Sequence, residues 1–209
     1  MADQARAERT RRALLRTAAD AFDRIGYERA TLSRISQAAG VTKGALYFHF
    51  ATKAELALAI QATVCEQFRT AVNELTEHPV PAMQAVIDIT HMLARQLRDD
   101  PATRASIRLA QECEPAPGWA EVDCYKVWLN ALSELLDRAV EDRSFLPQPD
   151  NRAIAALLLS LTVGTQLFSR DQADGRAGVT DWLGRTWELI LPQIVSTERL
   201  PLLRTSVTA

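Results

Sequence analysis

Residues 31–57 read TLSRISQAAGVTKGALYFHFATKAELA, a pattern that breaks into two short helices and the first turn of a long one. Thr31 is placed to cap the first, whose inner face is Leu32, Ile35 and Ala39, and Gly40 ends it where a left-handed turn residue is needed. Thr42 then caps residues 43–50. Two short helices separated by a tight, glycine-containing turn are the layout of a helix-turn-helix.

On residues 43–50 a rotation of 100° per residue brings Leu46 and Phe50 within about 40° of each other, which makes them the buried face. Gly44 and Phe48 fall on the opposite side, with Lys43 and Tyr47 in a row at the flank. Such a helix has one face for its own core and one for a groove. Gly44 removes the side chain where backbone must approach a base edge or phosphate, Lys43 can reach a guanine O6/N7 edge, and Tyr47 can donate its hydroxyl to a phosphate. Thr42 adds a hydroxyl beside a helix N-terminus, itself an anion site, and Lys53 stands at a second one. Thr31, Ser33 and Arg34 are candidates for the opposite strand's backbone. Phe48 fits a core position as well as a groove, whereas Phe50 is core. His49 is a surface or phosphate-proximal residue, because no cysteine, aspartate or second histidine stands at metal-ligand spacing.

Working outward, residues 6–25 place Ala13, Leu14, Ala18, Ala21, Phe22 and Ile25 at helical spacing, and Gly26 stops the run. Thr52 and Glu55 form a capping box ahead of Leu56, Ile60, Val64, Phe68, Val72 and Leu75, which predicts one helix to about residue 77. Further helices are expected over 82–98, 101–111, 120–142, 151–169 and 180–195, with loops at the proline-containing segments between them. No strand-like alternation occurs, so the fold class is all-α. Residues 151–169 are apolar nearly all round and 180–195 carry a continuous apolar stripe. In a chain this small that surplus is expected to be covered by a second subunit, which makes a homodimer the expected assembly.

The 209 residues are 47% hydrophobic and 24% charged, enough for a packed globular chain and against extended disorder. The net charge of −2 conceals an asymmetry: residues 1–55 carry ten basic against six acidic residues, a balance of +4, and the remainder stands at −6. A basic head on an acidic body raises nucleic acid as a partner. Arg6, Arg9, Arg11 and Arg12 are either a solvated face or part of that contact. Without an apolar run of membrane-spanning length or a signal-like start, no membrane role and a cytoplasmic location are expected. Cys65, Cys113 and Cys124 lack metal-ligand spacing and are expected to be reduced interior thiols. Neither metal nor cofactor is expected. No G-x-S-x-G, P-loop, H-E-x-x-H or cysteine–histidine pair is present, which argues against an enzyme. A purely structural DNA-bending protein is a further alternative, one that would need no roomy pocket. In the body, Trp119, Tyr125 and Trp128 lie near one another in sequence, and Thr162 and Gln166 break an apolar helix. Apolar walls with a few polar groups suit a small-molecule pocket.

Residues 8–57 resemble the DNA-binding domain of the TetR family of bacterial transcription regulators, through the glycine before the turn, Tyr47-Phe48-His49-Phe50 and Lys53. GVTKGALYFHF, with VGTQLFSR and WELILPQI further on, also resembles that family's γ-butyrolactone receptor branch. The resemblance implies a DNA-binding domain over 1–52, an effector-binding and dimerisation domain over 53–198, and a C-terminal tail over 199–209. It implies a dimeric repressor on double-stranded operator DNA, one or two dimers per operator, released by a small molecule such as a γ-butyrolactone, butenolide or furan. It points to Trp128 as a pocket wall and Thr162 as hydrogen-bond partner of a lactone or furan oxygen, with Val64, Gln67, Trp119 and Gln166 as further contacts. The plain alternatives are a core tryptophan and a threonine bonded to its own backbone.

Overall fold

The computed structural model describes residues 2–76, 80–113, 118–169 and 178–206, and among these the regular elements are all helical. They are α1 (Ala2–Arg29), α2 (Leu32–Ala38), α3 (Lys43–His49), α4 (Lys53–Thr76), α5 (Ala82–Asp99), α6 (Pro101–Glu112), α7 (Cys124–Glu141), α8 (Asn151–Ser169) and α9 (Gly178–Ile194), with short 3-10 turns at Trp119–Val122 and Leu200–Leu202. No helix among the described residues is long and apolar enough to cross a membrane. The chain forms two compact units, Met1–Gln67 with Pro101–Tyr125, and Phe68–Asp100 with Lys126–Ala209. Residues 101–125, which the sequence division assigns to the body, thus pack with the head.

In the first unit α1 turns Leu14, Ala18 and Phe22 inward and packs along α6. The pairing is polar at its far end. Arg104 Nε donates to Asp23 Oδ2 at 2.9 Å, Arg108 Nη1 to the Asp23 carbonyl at 3.0 Å, and the Tyr27 N–H to Glu112 Oε2 at 2.7 Å. The Arg108 guanidinium beside it holds the Glu112 carboxyl below its ordinary range, aided by the Tyr27 N–H and opposed by partial burial. Gly26, with φ +81°, breaks the helical path inside α1 at this spot. A Cβ there would lie 2.6 Å from Arg108 Nη2 and 2.7 Å from Glu112 Oε2. Gly26→Ala therefore combines left-handed strain with displacement of an ion pair, and should cost about 2 kcal/mol, seen as a melting temperature lower by roughly 4–8 °C.

The caps read from sequence are present. Thr31 Oγ1 accepts from Arg34 N, Thr42 Oγ1 from Ala45 N and Thr52 Oγ1 from Glu55 N, while Glu55 Oε2 takes the Ala51 N–H at 2.8 Å. Gly40 makes the turn between α2 and α3 with φ +67°. Its N–H bonds the Gln37 carbonyl and that of Val41 the Ser36 carbonyl, so the last carbonyls of α2 are satisfied.

The expectation of three reduced thiols is corrected for two of them. Cys65 of α4 and Cys124, the first residue of α7, are joined as a disulfide with Cα atoms 5.2 Å apart, and Cys113 is free. The two positions are 59 residues apart and meet only through tertiary packing, which leaves no local trace in the sequence.

In the second unit α5, α8 and α9 pack on one another. Trp187 of α9 is 1% exposed, and its Nε1–H donates to Thr90 Oγ1 of α5 at 2.9 Å. The N-terminus of α5 follows Pro81, which supplies no side-chain cap. The cap comes from afar: Asp142 Oδ2 accepts the Ala82 N–H at 2.7 Å and Ser144 Oγ the Met83 N–H at 3.1 Å. Burial acts to raise the Asp142 carboxyl, but the bonds from Ala82 and Ser144 prevail and hold it below its ordinary value.

The C-terminal segment expected to be a tail is docked as far as Thr205. Gln84 accepts the Arg204 N–H at 2.8 Å and donates to its carbonyl at 3.2 Å, in the manner of a strand neighbour. His91 Nε2 lies 2.7 Å from the Thr205 carbonyl, which a Cβ on Gly184 would approach to 3.3 Å. His91 is completely buried and its Nδ1 has no partner. Burial, reinforced by Arg95, pushes its pKa below the ordinary value against the opposing influence of Thr205 and Asp88. A histidine depressed in this way binds its proton more readily when unfolded, so stability is complete above pH 6.5 and declines as pH falls below it. The melting temperature should drop by a few degrees between pH 7.5 and 5.5, and His91→Gln should flatten that slope.

Candidate nucleic-acid interface

α3 separates its two faces as the helical spacing requires. Leu46 and Phe50 are buried at 1% and 4% exposure, whereas Tyr47 and Phe48 are 55% and 81% exposed. Lys43 and Gly44 are exposed beside them. Of the two positions open to Phe48, the structure takes the outer one. Folding alone gives no reason for this: an uncovered phenylalanine ring costs favourable burial unless a partner covers it. Its ring meets His49 edge to face at 5.2 Å between centroids, and His49 is half-buried. On the inner side the Arg11 guanidinium stands 5.6 Å from the Phe50 ring, which ties the arginine-rich start of α1 to the base of α3.

Gly44 is informative because the fold does not require it. Its φ is not positive, and a Cβ would meet nothing nearer than Thr42 Oγ1 at 4.0 Å. The missing side chain opens the outer face of α3 to close approach by something else. Thr31 and Thr42 use one lone pair each in capping and retain a hydroxyl proton to donate. Ser33 and Arg34 are exposed on α2, where Arg34 and Thr31 line a groove shared with Arg24 of α1. The exposed ring, phenol, ammonium and guanidinium groups, with a helix edge free of side chain, suit a polyanion whose bases are read in a groove.

Lys53 departs from the sequence reading. Its Nζ donates to the carbonyls of Tyr27, Ala30 and Glu28 at 2.7, 3.2 and 3.3 Å and lies 4.1 Å from the Tyr27 ring centre. Its three donors are thus engaged inside the head. The physical reason is the end of α1, whose last carbonyls lack helical partners and attract a cation. Lys53 fixes the start of α4 to α1, and the phosphate-contact role read for it is not one this geometry provides.

The candidate effector residues divide between the units. In the second, Trp128 is 1% exposed, its ring meets Phe68 edge to face at 5.6 Å, and its indole Nε1–H is buried with no hydrogen-bond partner. A buried donor left unpaired costs about 1–3 kcal/mol, so this group is one that an incoming acceptor would relieve. Thr162 is buried at 1% and donates to the Leu158 carbonyl at 2.8 Å. Its proton is thus held by its own helix, which leaves the hydroxyl able to accept but not to donate to a lactone oxygen. In the first unit Val64 is buried, Trp119 is half-buried and Gln67 is exposed. Gln67 therefore does not line an interior wall: the inward positions of α4 around it are Val64, Cys65 and Phe68. The side chain of Gln166 lies outside the described residues. Sequence reasoning missed Gln61, which is 2% exposed and bonded at both ends to Ser106; a polar residue at an inward position of α4 was its only sign.

Residues 14–60 match the family model described as bacterial regulatory proteins, tetR family. Over 198 residues the chain is 37% identical to the A-factor receptor protein of Streptomyces griseus, covering 93% of this chain and 67% of that protein. A crystal structure of a γ-butyrolactone receptor (ArpA-like protein) superposes with a TM-score of 0.81 at 32% identity, over 93% of this chain and 92% of that one. The TetR family protein CprB of Streptomyces coelicolor, in complex with its biological operator sequence, gives 0.78 at 33% identity over 94% of both chains.

Proposed function

The chain belongs to the TetR family of bacterial regulatory proteins, and we propose that it is a dimeric, cytoplasmic transcriptional repressor released from operator DNA by a small molecule of the γ-butyrolactone, butenolide or furan class. The observation that carries the DNA-binding half is the division of α3, with Leu46 and Phe50 inside and Tyr47 and Phe48 outside, beside a glycine for which the fold has no use. In this reading residues 1–52 read DNA, Lys43 and Gly44 face base edges, Tyr47 and Phe48 take phosphate and thymine-methyl contacts, and Thr31, Ser33, Arg34, Thr42 and His49 hold the backbone.

The dimer has its own support. Leu157 of α8 and Trp182 and Leu189 of α9 are 52%, 54% and 77% exposed, on helices whose other faces are packed. A second copy laid on that surface would cover them. Two heads held roughly 34–36 Å apart enter successive major grooves. The effector half rests on the unpartnered Trp128 indole and on the names of the relatives. α4 carries Lys53 at one end and Phe68 further along, so a ligand that favours a shifted α4 alters head spacing. Complete switching asks for about 5.5 kcal/mol of differential affinity, shared between two pockets.

Gel-shift titration on the chain's own promoter is the test. A retarded band, weakened by about three orders of magnitude between 50 and 200 mM salt and abolished by an active lactone, supports the reading. A band indifferent to every lactone, butenolide and furan would favour a purely structural DNA-binding role.

A further inference from the structure

We propose that Cys65 and Cys124 form a redox-operated clamp on α4, closed by peroxides and opened by dithiol reductants. The clamp's consequence for DNA release rests on the reading of α4 as the helix that carries the effector signal. Cys65 and Cys124 are 0% and 4% exposed, and their Cα separation of 5.2 Å allows a bond without backbone movement. The surroundings serve the open state equally well. The Val122 carbonyl lies 3.2 Å from Cys65 Sγ and Gln61 Oε1 lies 3.4 Å from Cys124 Sγ, so each thiol has an acceptor for its proton. Gln61 is held in place by two bonds to Ser106, at 3.0 and 2.7 Å. A cross-link that is never opened has no S–H groups to satisfy. A regulator acting on DNA also works where small thiols hold cysteines reduced, and a bondable pair in that setting is one that responds to redox change.

Closure proceeds from Cys124, the more exposed of the two. Its thiol gives its proton to water, and the thiolate attacks one oxygen of hydrogen peroxide. The O–O bond breaks, hydroxide departs and is protonated to water, and Cys124 is left as a sulfenic acid. The Cys65 thiolate attacks that sulfur, the S–O bond breaks, and a second water leaves. Each sulfur has lost one electron, and the two electrons reside on the former peroxide oxygens. Opening reverses the sulfur chemistry: one thiolate of a dithiol attacks the bond, its second thiolate closes a cyclic disulfide, and both cysteines return as thiols.

Closed, the clamp fixes residue 65 of α4 to the first residue of α7. Phe68 lies three residues along the one helix and Trp128 four along the other. A shift of α4 against α7 of the kind that releases DNA is then blocked, and the closed protein keeps its operator in the presence of effector.

The full-length protein is compared after treatment with dithiothreitol and with hydrogen peroxide, alongside Cys65→Ala and Cys124→Ser. Alkylation in denaturant followed by mass measurement should find three free cysteines after dithiothreitol and one after peroxide. The closed form should melt about 10 °C higher, given the length of chain it encloses. Backbone amides of residues 61–68 and 118–124 should exchange hydrogen at least tenfold more slowly in the closed form. Neither variant should show a redox difference. Where one of a panel of alkyl-substituted γ-butyrolactones releases the reduced protein from operator, the closed protein should need at least tenfold more. Three alkylatable cysteines after peroxide, or identical exchange in both states, would overturn the clamp. Slower exchange with no response to any lactone would uphold the clamp and reject the effector reading instead.

Discussion

Gly44→Ala should raise the melting temperature by roughly 2–4 °C while weakening operator binding at least tenfold. Stability rises because an exposed helical glycine is about 1 kcal/mol less favourable than alanine, and a Cβ at this site meets nothing nearer than 4.0 Å. Binding falls because that methyl would stand on the outer face of α3, between backbone and base edge. Few substitutions separate the two quantities so cleanly. Calorimetry and fluorescence anisotropy with promoter duplex read them independently. An unchanged affinity in the stabilised variant would remove Gly44 from the interface.

Trp128→Phe is expected to leave folding and effector-free operator affinity near wild type, yet raise the effector concentration for half-release at least tenfold. Phenylalanine keeps an aromatic ring against Phe68, and losing an indole N–H that has no partner removes a desolvation penalty, which offsets the small volume lost. What disappears is the donor that an effector oxygen would accept from, a bond of about 1.4 kcal/mol or more at the tenfold level. The release titration checks it. Equal half-release concentrations would make Trp128 an ordinary core residue.

Much of the helical order was legible because its signals are local. Thr31, Thr42 and the Thr52–Glu55 box announce helix starts within four residues of where they act, and Gly26 and Gly40 mark breaks through a φ that other residues avoid. The two faces of α3 followed from angular spacing alone. What escaped depends on partners far along the chain. Lys53 reads as a free cation until the end of α1 is placed beside it. The cap of α5 comes from Asp142, 60 residues later, and Cys65 finds Cys124 only through packing. The docking of the tail has no local sign because Gln84 and His91, which hold it, lie 120 and 114 residues earlier. Gln67 is a different case: it comes from the family resemblance and not from the helical period, which puts Val64 and Phe68 on the inward side of α4 and leaves Gln67 off it.

Anisotropy titration of wild type and Tyr47→Ala with promoter duplex and with a scrambled duplex of equal length tests the DNA-reading role of α3 most directly. Wild type should prefer the promoter by at least about 10³, and Tyr47→Ala, on an exposed side chain that the fold does not need, should keep its melting temperature and lose most of that preference. Equal affinity of wild type for both duplexes, or full preference retained by the variant, would contradict the assignment of α3 as the element that reads DNA.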